Sequence, residues 1–256
     1  MKGFMIKWIF FDIGNVILND DPAMAELYRQ LFEFVRRKDH SITMERLLQE
    51  REELIRQKRD GRHYFTLMEK YLNSYGHAKF KIIREDLNRR WGELSPLMAG
   101  IVPVLDHLHT TYRLGLIANQ PEQVVEVLEN HRLSRFFTVQ ALSDISEMKK
   151  PDIRFFKYAL VNAGCRPDES VMVGDRIDND IAPARAIGMH TIWLKLSYDS
   201  KGYVPATEHE QSYLASVARA SATHLEPRFD DEMPDFIARS FGDIVTGIRR
   251  IEAAVV

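Results

Sequence analysis

The sequence predicts an α/β protein: a parallel sheet with helices on both faces, interrupted after its first strand by an inserted all-helical domain. Three observations lead there. Short apolar strands alternate with helical stretches from about residue 96 onward. A stretch dense in Arg, Lys, Glu and aromatics, with apolar residues at helical spacing, separates the first strand from that series. Polar groups follow directly on several strands, at the carboxyl ends where an α/β sheet forms its crevice.

The first strand is the apolar run at residues 7–11, which leads straight into Asp12-Ile13-Gly14-Asn15-Val16. A carboxylate at a buried strand end costs several kcal/mol unless a cation compensates it, so Asp12 is a candidate nucleophile or metal ligand. Residues 22–91 then read as helices. Ala23, Leu27, Leu31, Phe34 and Val35 trace one apolar face, and Leu47, Leu48, Leu54 and Ile55 another. Further helical stretches at 64–75 and 79–91 are marked off by Gly61 and Gly76. The charges of this block are most simply solvated helix faces.

After Ser95-Pro96 come a helix at 98–110, a strand at 113–118, a helix at 122–130, a weak strand at 137–141 and a helix at 153–163. A strand at 170–174, a helix at 181–187 and a strand at 191–194 continue the alternation. Residues 197–233 break it, with a helix at 208–222, before a short edge strand at 234–238 and a closing helix at 241–251. The expected domains are a core of 1–18 and 96–256, with 197–233 as an irregular insertion, and a helical domain of 19–95.

Composition excludes several classes. Of 256 residues, 45% are hydrophobic and 28% charged, as in ordinary globular proteins. A net charge of −2 gives no polyanion-binding signal, so nucleic acid is not an expected partner. No apolar run reaches about 18 residues, so no membrane span is expected. The single cysteine, Cys165, excludes an internal disulfide and fits a cytoplasmic location. Oligomeric state is not legible.

Four polar groups fall where they would converge: Asp12; Ala118-Asn119-Gln120; Lys149-Lys150-Pro151; and Gly174-Asp175 through Asp178-Asn179-Asp180. So many carboxylates together repel without a cation. Oxygen-rich, thiol-free surroundings suit Mg²⁺, and a nearby lysine suits a phosphate or an aspartyl anion as a point charge.

In this order and spacing the residues resemble the haloacid dehalogenase-like (HAD) superfamily of hydrolases, with all four of its motifs represented. The fourth is the most specific, through the Gly174-Asp175 pair and the step to Asp180. The resemblance implies a Rossmann-like core, a helical cap of the first type, and a Mg²⁺-dependent phosphatase acting on a small phosphorylated metabolite. Asp12 would be the nucleophile, forming an aspartyl phosphate. Mg²⁺ would be held by Asp12, the Gly14 carbonyl and Asp175, with Asp180 and Asn179 beside them. Lys150 would balance the negative charge, and Asn119 would bond the phosphoryl oxygens.

Two positions depart from the pattern. Gly14 stands where phosphatase members carry a second Asp as general acid and base, help worth roughly 10²–10⁴ in rate. Ala118 replaces a hydroxyl residue, a loss of roughly 0.5–1.5 kcal/mol. Two other readings therefore stay open: a catalytically weak or inactive relative that binds a ligand or partner, and a 2-haloacid dehalogenase, which needs no metal and usually lacks the ligand that Asp175 supplies. His209 and His224 read as surface residues, and His63, Tyr64 and Trp91 as cap packing. Cys165 shows no electropositive setting.

Overall fold

A computed structural model describes residues 5–58 and 63–255; Gly61 lies outside them. Six strands form one sheet: β1 (Trp8–Phe11), β2 (Arg113–Ala118), β3 (Phe137–Leu142), β4 (Ser170–Gly174), β5 (His190–Leu194) and β6 (Phe236–Ala238). Their order is β3-β2-β1-β4-β5-β6, and every adjacent pair is parallel. β1 lies between β2 and β4, with Phe11 opposite Leu116 on one side and Val173 on the other. All four of its residues are buried. A strand covered on both faces needs an unbroken apolar run rather than alternation, and that is what makes it legible in the sequence.

The helices are α1 (Asp21–Arg36), α2 (Met44–Lys58), α3 (His63–Leu72), α4 (Gly76–Arg89), α5 (Trp91–Leu94) and α6 (Ile101–Leu108). They continue as α7 (Val124–Asn130), α8 (Ser143–Ser146), α9 (Ile153–Ala163), α10 (Ala182–Ala186), α11 (Glu208–Arg219) and α12 (Phe241–Val255). In α9, Asp152 caps the first turn by accepting from the Arg154 N–H at 2.9 Å, and left-handed Gly164 ends the helix. Phe155, Phe156, Ala159 and Leu160 of this helix pack with Trp8, Phe10, Ile117 and Met172 of the sheet.

The expected helix at 98–110 is shorter. Leu97 bridges to Leu18, and left-handed Gly100 (φ 93°) holds the chain out of the helix until Ile101. The expected helix at 181–187 begins instead as a wide π-helical turn, Ile177–Ile181, that leads into α10.

Two units divide the chain. One comprises Met1–Asn19, Leu97–Gly202 and Glu226–Val256; the other comprises Asp20–Pro96 and Tyr203–Leu225. The sequence reading assigned 197–233 wholly to the core, and this is corrected for 203–225. Thr207 and Glu210 form a capping box that starts α11. Tyr213 of α11 stacks on Tyr28 of α1, ring centroids 5.6 Å apart. The buried Arg51 of α2 donates to Ser216 Oγ at 3.1 Å and to the Ala220 carbonyl at 2.9 Å. Helix faces that meet across more than 160 residues of sequence leave no local trace of their partner.

Candidate active site

Parallel strands end at one edge, so β1, β2 and β4 deliver Asp12, Asn119 and Asp175 side by side. The Asp12 N–H bonds the Val173 carbonyl at 2.9 Å, which extends the β1–β4 ladder by one residue and fixes the Asp12 main chain. Its side-chain Oδ1 accepts from the Ile13 N–H at 2.7 Å. Lys150 Nζ lies 2.7 Å from the same Oδ1 and 2.6 Å from Asp180 Oδ1. The side chains of Lys150 and Asp180 are fully buried.

Asp180 reaches this point through the π turn, and Gly174 makes room for it. A Cβ on Gly174 would stand 2.3 Å from the Asp180 Cβ, which no packing allows. The other oxygen of Asp180 accepts from the Arg176 N–H at 3.0 Å. Asp175 is buried, and its carbonyl accepts from the Trp193 indole N–H at 2.9 Å, a support from β5 that no spacing in the sequence signals. Carboxylate oxygens of Asp12, Asp175 and Asp180 lie within 4.8 Å of one another.

Electrostatics follow from that crowding. Burial, then the neighbouring Asp180 and Asp12, push the Asp175 carboxyl well above the usual range. Burial also pushes Asp180 up, to about 6, despite its contact with Lys150. For Lys150, burial alone would lower the ammonium's pKa, but Asp12 and Asp180 outweigh it and hold it above the ordinary lysine value. With all three carboxylates ionised, the one ammonium leaves a formal excess of two negative charges, the charge of one divalent cation. An all-oxygen donor set with that excess fits Mg²⁺. The nearby Arg176 is engaged by Asp178.

Asn119 follows directly on β2. Its Nδ2 donates to the Lys150 carbonyl at 3.0 Å and its Oδ1 accepts from the Lys150 N–H at 2.8 Å. Both amide atoms are thus bonded to the main chain that carries the lysine. Ala118 is fully buried, and Gly14 is buried in a bridge with Leu18. Asn179 is half-buried, and no bond links its side chain to the three carboxylates among the described residues. Lys201, a buried cation that sequence reasoning missed, donates to Asn15 Oδ1 at 2.8 Å.

His63 is buried, its Nδ1 2.6 Å from the Tyr28 hydroxyl, and burial pushes the Cys165 thiol up to about 11. No helix among the described residues is long and apolar enough to cross a membrane.

A six-stranded parallel sheet with an aspartate at the end of an inner strand and a lysine between two buried carboxylates is a Rossmann-like α/β core with a charged site at the carboxyl edge of its sheet. The haloacid dehalogenase-like hydrolase model matches residues 9–194, and the chain belongs to that family. It is 30% identical over 208 residues to a glyceraldehyde 3-phosphate phosphatase of Pyrococcus abyssi, covering 75% of this chain and 82% of that one. With curated relatives of this kind, the chain is a phosphatase-type member, a phosphoric monoester hydrolase. Among solved structures, a HAD phosphatase from Thermococcus onnurineus superposes with a TM-score of 0.60 at 21% identity, covering 94% of this chain and 97% of that one. A 2-haloacid dehalogenase from Pseudomonas syringae superposes at 0.53 and 19% identity, covering 96% and 99%. Fold alone therefore does not separate the two chemistries.

Proposed function

We propose that the protein is a Mg²⁺-dependent phosphatase of a small phosphorylated metabolite, working through an aspartyl phosphate on Asp12. The observation that carries this reading is the excess of two negative charges among Asp12, Asp175, Asp180 and Lys150. A carbon–halogen displacement by Asp12 has no use for that surplus, whereas phosphoryl transfer depends on positioned positive charge. Mg²⁺ would be held by Asp12, Asp175 and the Gly14 carbonyl, and would supply charge stabilisation of the transferring phosphoryl group.

The chain's own groups do the rest. Among the described residues the donors to Asp12, the Ile13 N–H and Lys150, fall on Oδ1, which leaves Oδ2 open for attack on phosphorus. The P–O bond to the alcohol breaks as the Asp12–phosphorus bond forms. Water then attacks phosphorus and breaks its bond to Asp12, which releases inorganic phosphate and regenerates the carboxylate; the proton that water loses passes to solvent, which supplies the one the departing alkoxide takes up. Lys150 holds Asp12 in place. Asn119 acts on the reaction by holding the Lys150 main chain, which replaces its expected contact with phosphoryl oxygens. The names of the curated relatives make phosphorylated three-carbon compounds such as glyceraldehyde 3-phosphate the first substrates to try. The test is phosphate release from a panel of such esters with Mg²⁺ and with EDTA. Release that needs Mg²⁺ supports the reading, and halide release from 2-haloacids without phosphate release overturns it.

A further inference from the structure

Lys201 places a buried ammonium on the turn that follows the nucleophile. The turn runs from Ile13 to Leu18 and is tightly closed. The Ile17 and Leu18 N–H groups bond the Ile13 carbonyl at 2.8 and 2.9 Å, and the Asn15 N–H bonds the Leu18 carbonyl at 2.7 Å. Its far side is pinned where the Met98 N–H meets the Ile17 carbonyl at 2.8 Å. Within it Asn15 has φ 53°, a left-handed conformation that a non-glycine residue adopts at a cost. Asn15 follows directly on Gly14, so its orientation sets how the Gly14 peptide is presented beside Asp12.

The segment after β5 ends at this turn. A short 3₁₀ turn, Tyr198–Lys201, is closed by the Ser200 N–H on the Ser197 carbonyl at 3.1 Å. Left-handed Gly202 (φ 67°) ends it, close enough to Ala99 that a Cβ would stand 3.4 Å from the alanine Cβ. Lys201 is thereby inserted, 7% exposed, with its Nζ 2.8 Å from Asn15 Oδ1. A buried ammonium donating to an amide oxygen is a charge-assisted bond, roughly twice as strong as a neutral one.

We propose that Lys201 is a positioning residue for the reaction: by holding the Asn15 side chain it fixes the 13–18 turn and so the Gly14 main chain next to Asp12. The consequence for metal binding rests on the reading of Asp12 and Gly14 as metal-side groups; the consequence for the turn does not. The test uses the full chain and the variants Lys201→Met, Lys201→Arg, Asn15→Gly and the double variant Lys201→Met/Asn15→Gly. Asn15→Gly keeps the left-handed backbone accessible while removing the acceptor, so it reads the same bond from the other side even if Lys201→Met fails to fold.

Hydrogen exchange of the metal-free protein is the first readout. Lys201→Met and Asn15→Gly should each speed exchange of amides 15–18 roughly tenfold or more, the loss expected for one charged hydrogen bond, and leave strand 113–118 unchanged. Calorimetry with MgCl₂ is the second, with affinity expected to fall about three- to tenfold in both. Lys201→Arg should stay within about threefold of the wild type in both readouts, and the double variant should be no worse than Lys201→Met alone. Unchanged exchange in Lys201→Met and Asn15→Gly, or effects that multiply in the double variant, would overturn the proposal. A wild-type protein that binds no Mg²⁺ would sink the metal reading alone, with the exchange data still deciding the role of Lys201.

Discussion

Replacing Lys150 by Met tests the charge balance of the site directly. The ammonium is fully buried and touches Asp12 and Asp180 at 2.7 and 2.6 Å. Methionine keeps most of the volume and removes the charge. Removing one member of a buried ion pair costs about 3–5 kcal/mol because the partner is left uncompensated, and here two carboxylates are left, with Asp175 close by. For a domain of this size that is a loss of roughly 6–20 °C in Tm.

The pH dependence has a definite sign. Lys150 titrates above the ordinary lysine range, so its contribution is fully present and constant between about pH 5 and 8. Asp180 is pushed up to about 6 even with the lysine in place, and moves higher without it. In the variant the native state therefore holds more protons than the unfolded chain, and stability falls as pH rises. Thermal unfolding in EDTA at about pH 5.5 and about pH 7.5 is the assay. The deficit relative to the wild type should be large at the higher pH and distinctly smaller at the lower one. A deficit equal at both values, or larger in acid, would refute the reasoning.

Three further outcomes are expected. Asp12→Asn should abolish phosphate release, by more than about 10³-fold, while leaving Tm within a few degrees; retained turnover, after deamidation is excluded by mass spectrometry, would remove Asp12 from the mechanism. Asp175→Ala should weaken Mg²⁺ binding and activity together, and it should raise the Tm of the metal-free protein above about pH 6, because a carboxyl held far above its usual range destabilises the native state there; calorimetry and unfolding in EDTA read both. With no acid at position 14, wild-type rates should fall steeply as the leaving group's pKa rises, and Gly14→Asp should help alkyl phosphates more than aryl ones. A flat leaving-group dependence unchanged in the variant would place the proton donor elsewhere.

Much of this was legible because it is local. The buried strands β1, β2 and β4 are continuous apolar runs that end in the residues of interest, so a parallel topology brings Asp12, Asn119 and Asp175 to one edge without further information. What stayed hidden depends on contacts across long sequence separations. Nothing near Lys201 announces that it reaches back to Asn15, 186 residues away. The packing of α11 on α1 and α2 is hidden for the same reason. For Asn119 the residue type and its place just after β2 were legible, whereas its two bonds to the Lys150 main chain, 31 residues further on, were not.

The two departures from the family pattern act on a different part of the chemistry from the charge balance. Gly14 removes a proton donor and Ala118 removes a neutral hydroxyl, and neither touches the four charged groups Asp12, Asp175, Asp180 and Lys150. A buried surplus of negative charge is costly to maintain in a protein that does no more than bind a neutral ligand or a partner surface. A divalent cation bound there would offset that cost by neutralising the carboxylates, while Lys150 faces the nucleophile. Gly14 and Ala118 therefore bear on which leaving groups the site can expel, and Asp175, Asp180 and Lys150 bear on whether phosphoryl transfer happens at all. On that division, slow turnover of an alkyl phosphate would say little against the mechanism, whereas failure to bind Mg²⁺ would count heavily.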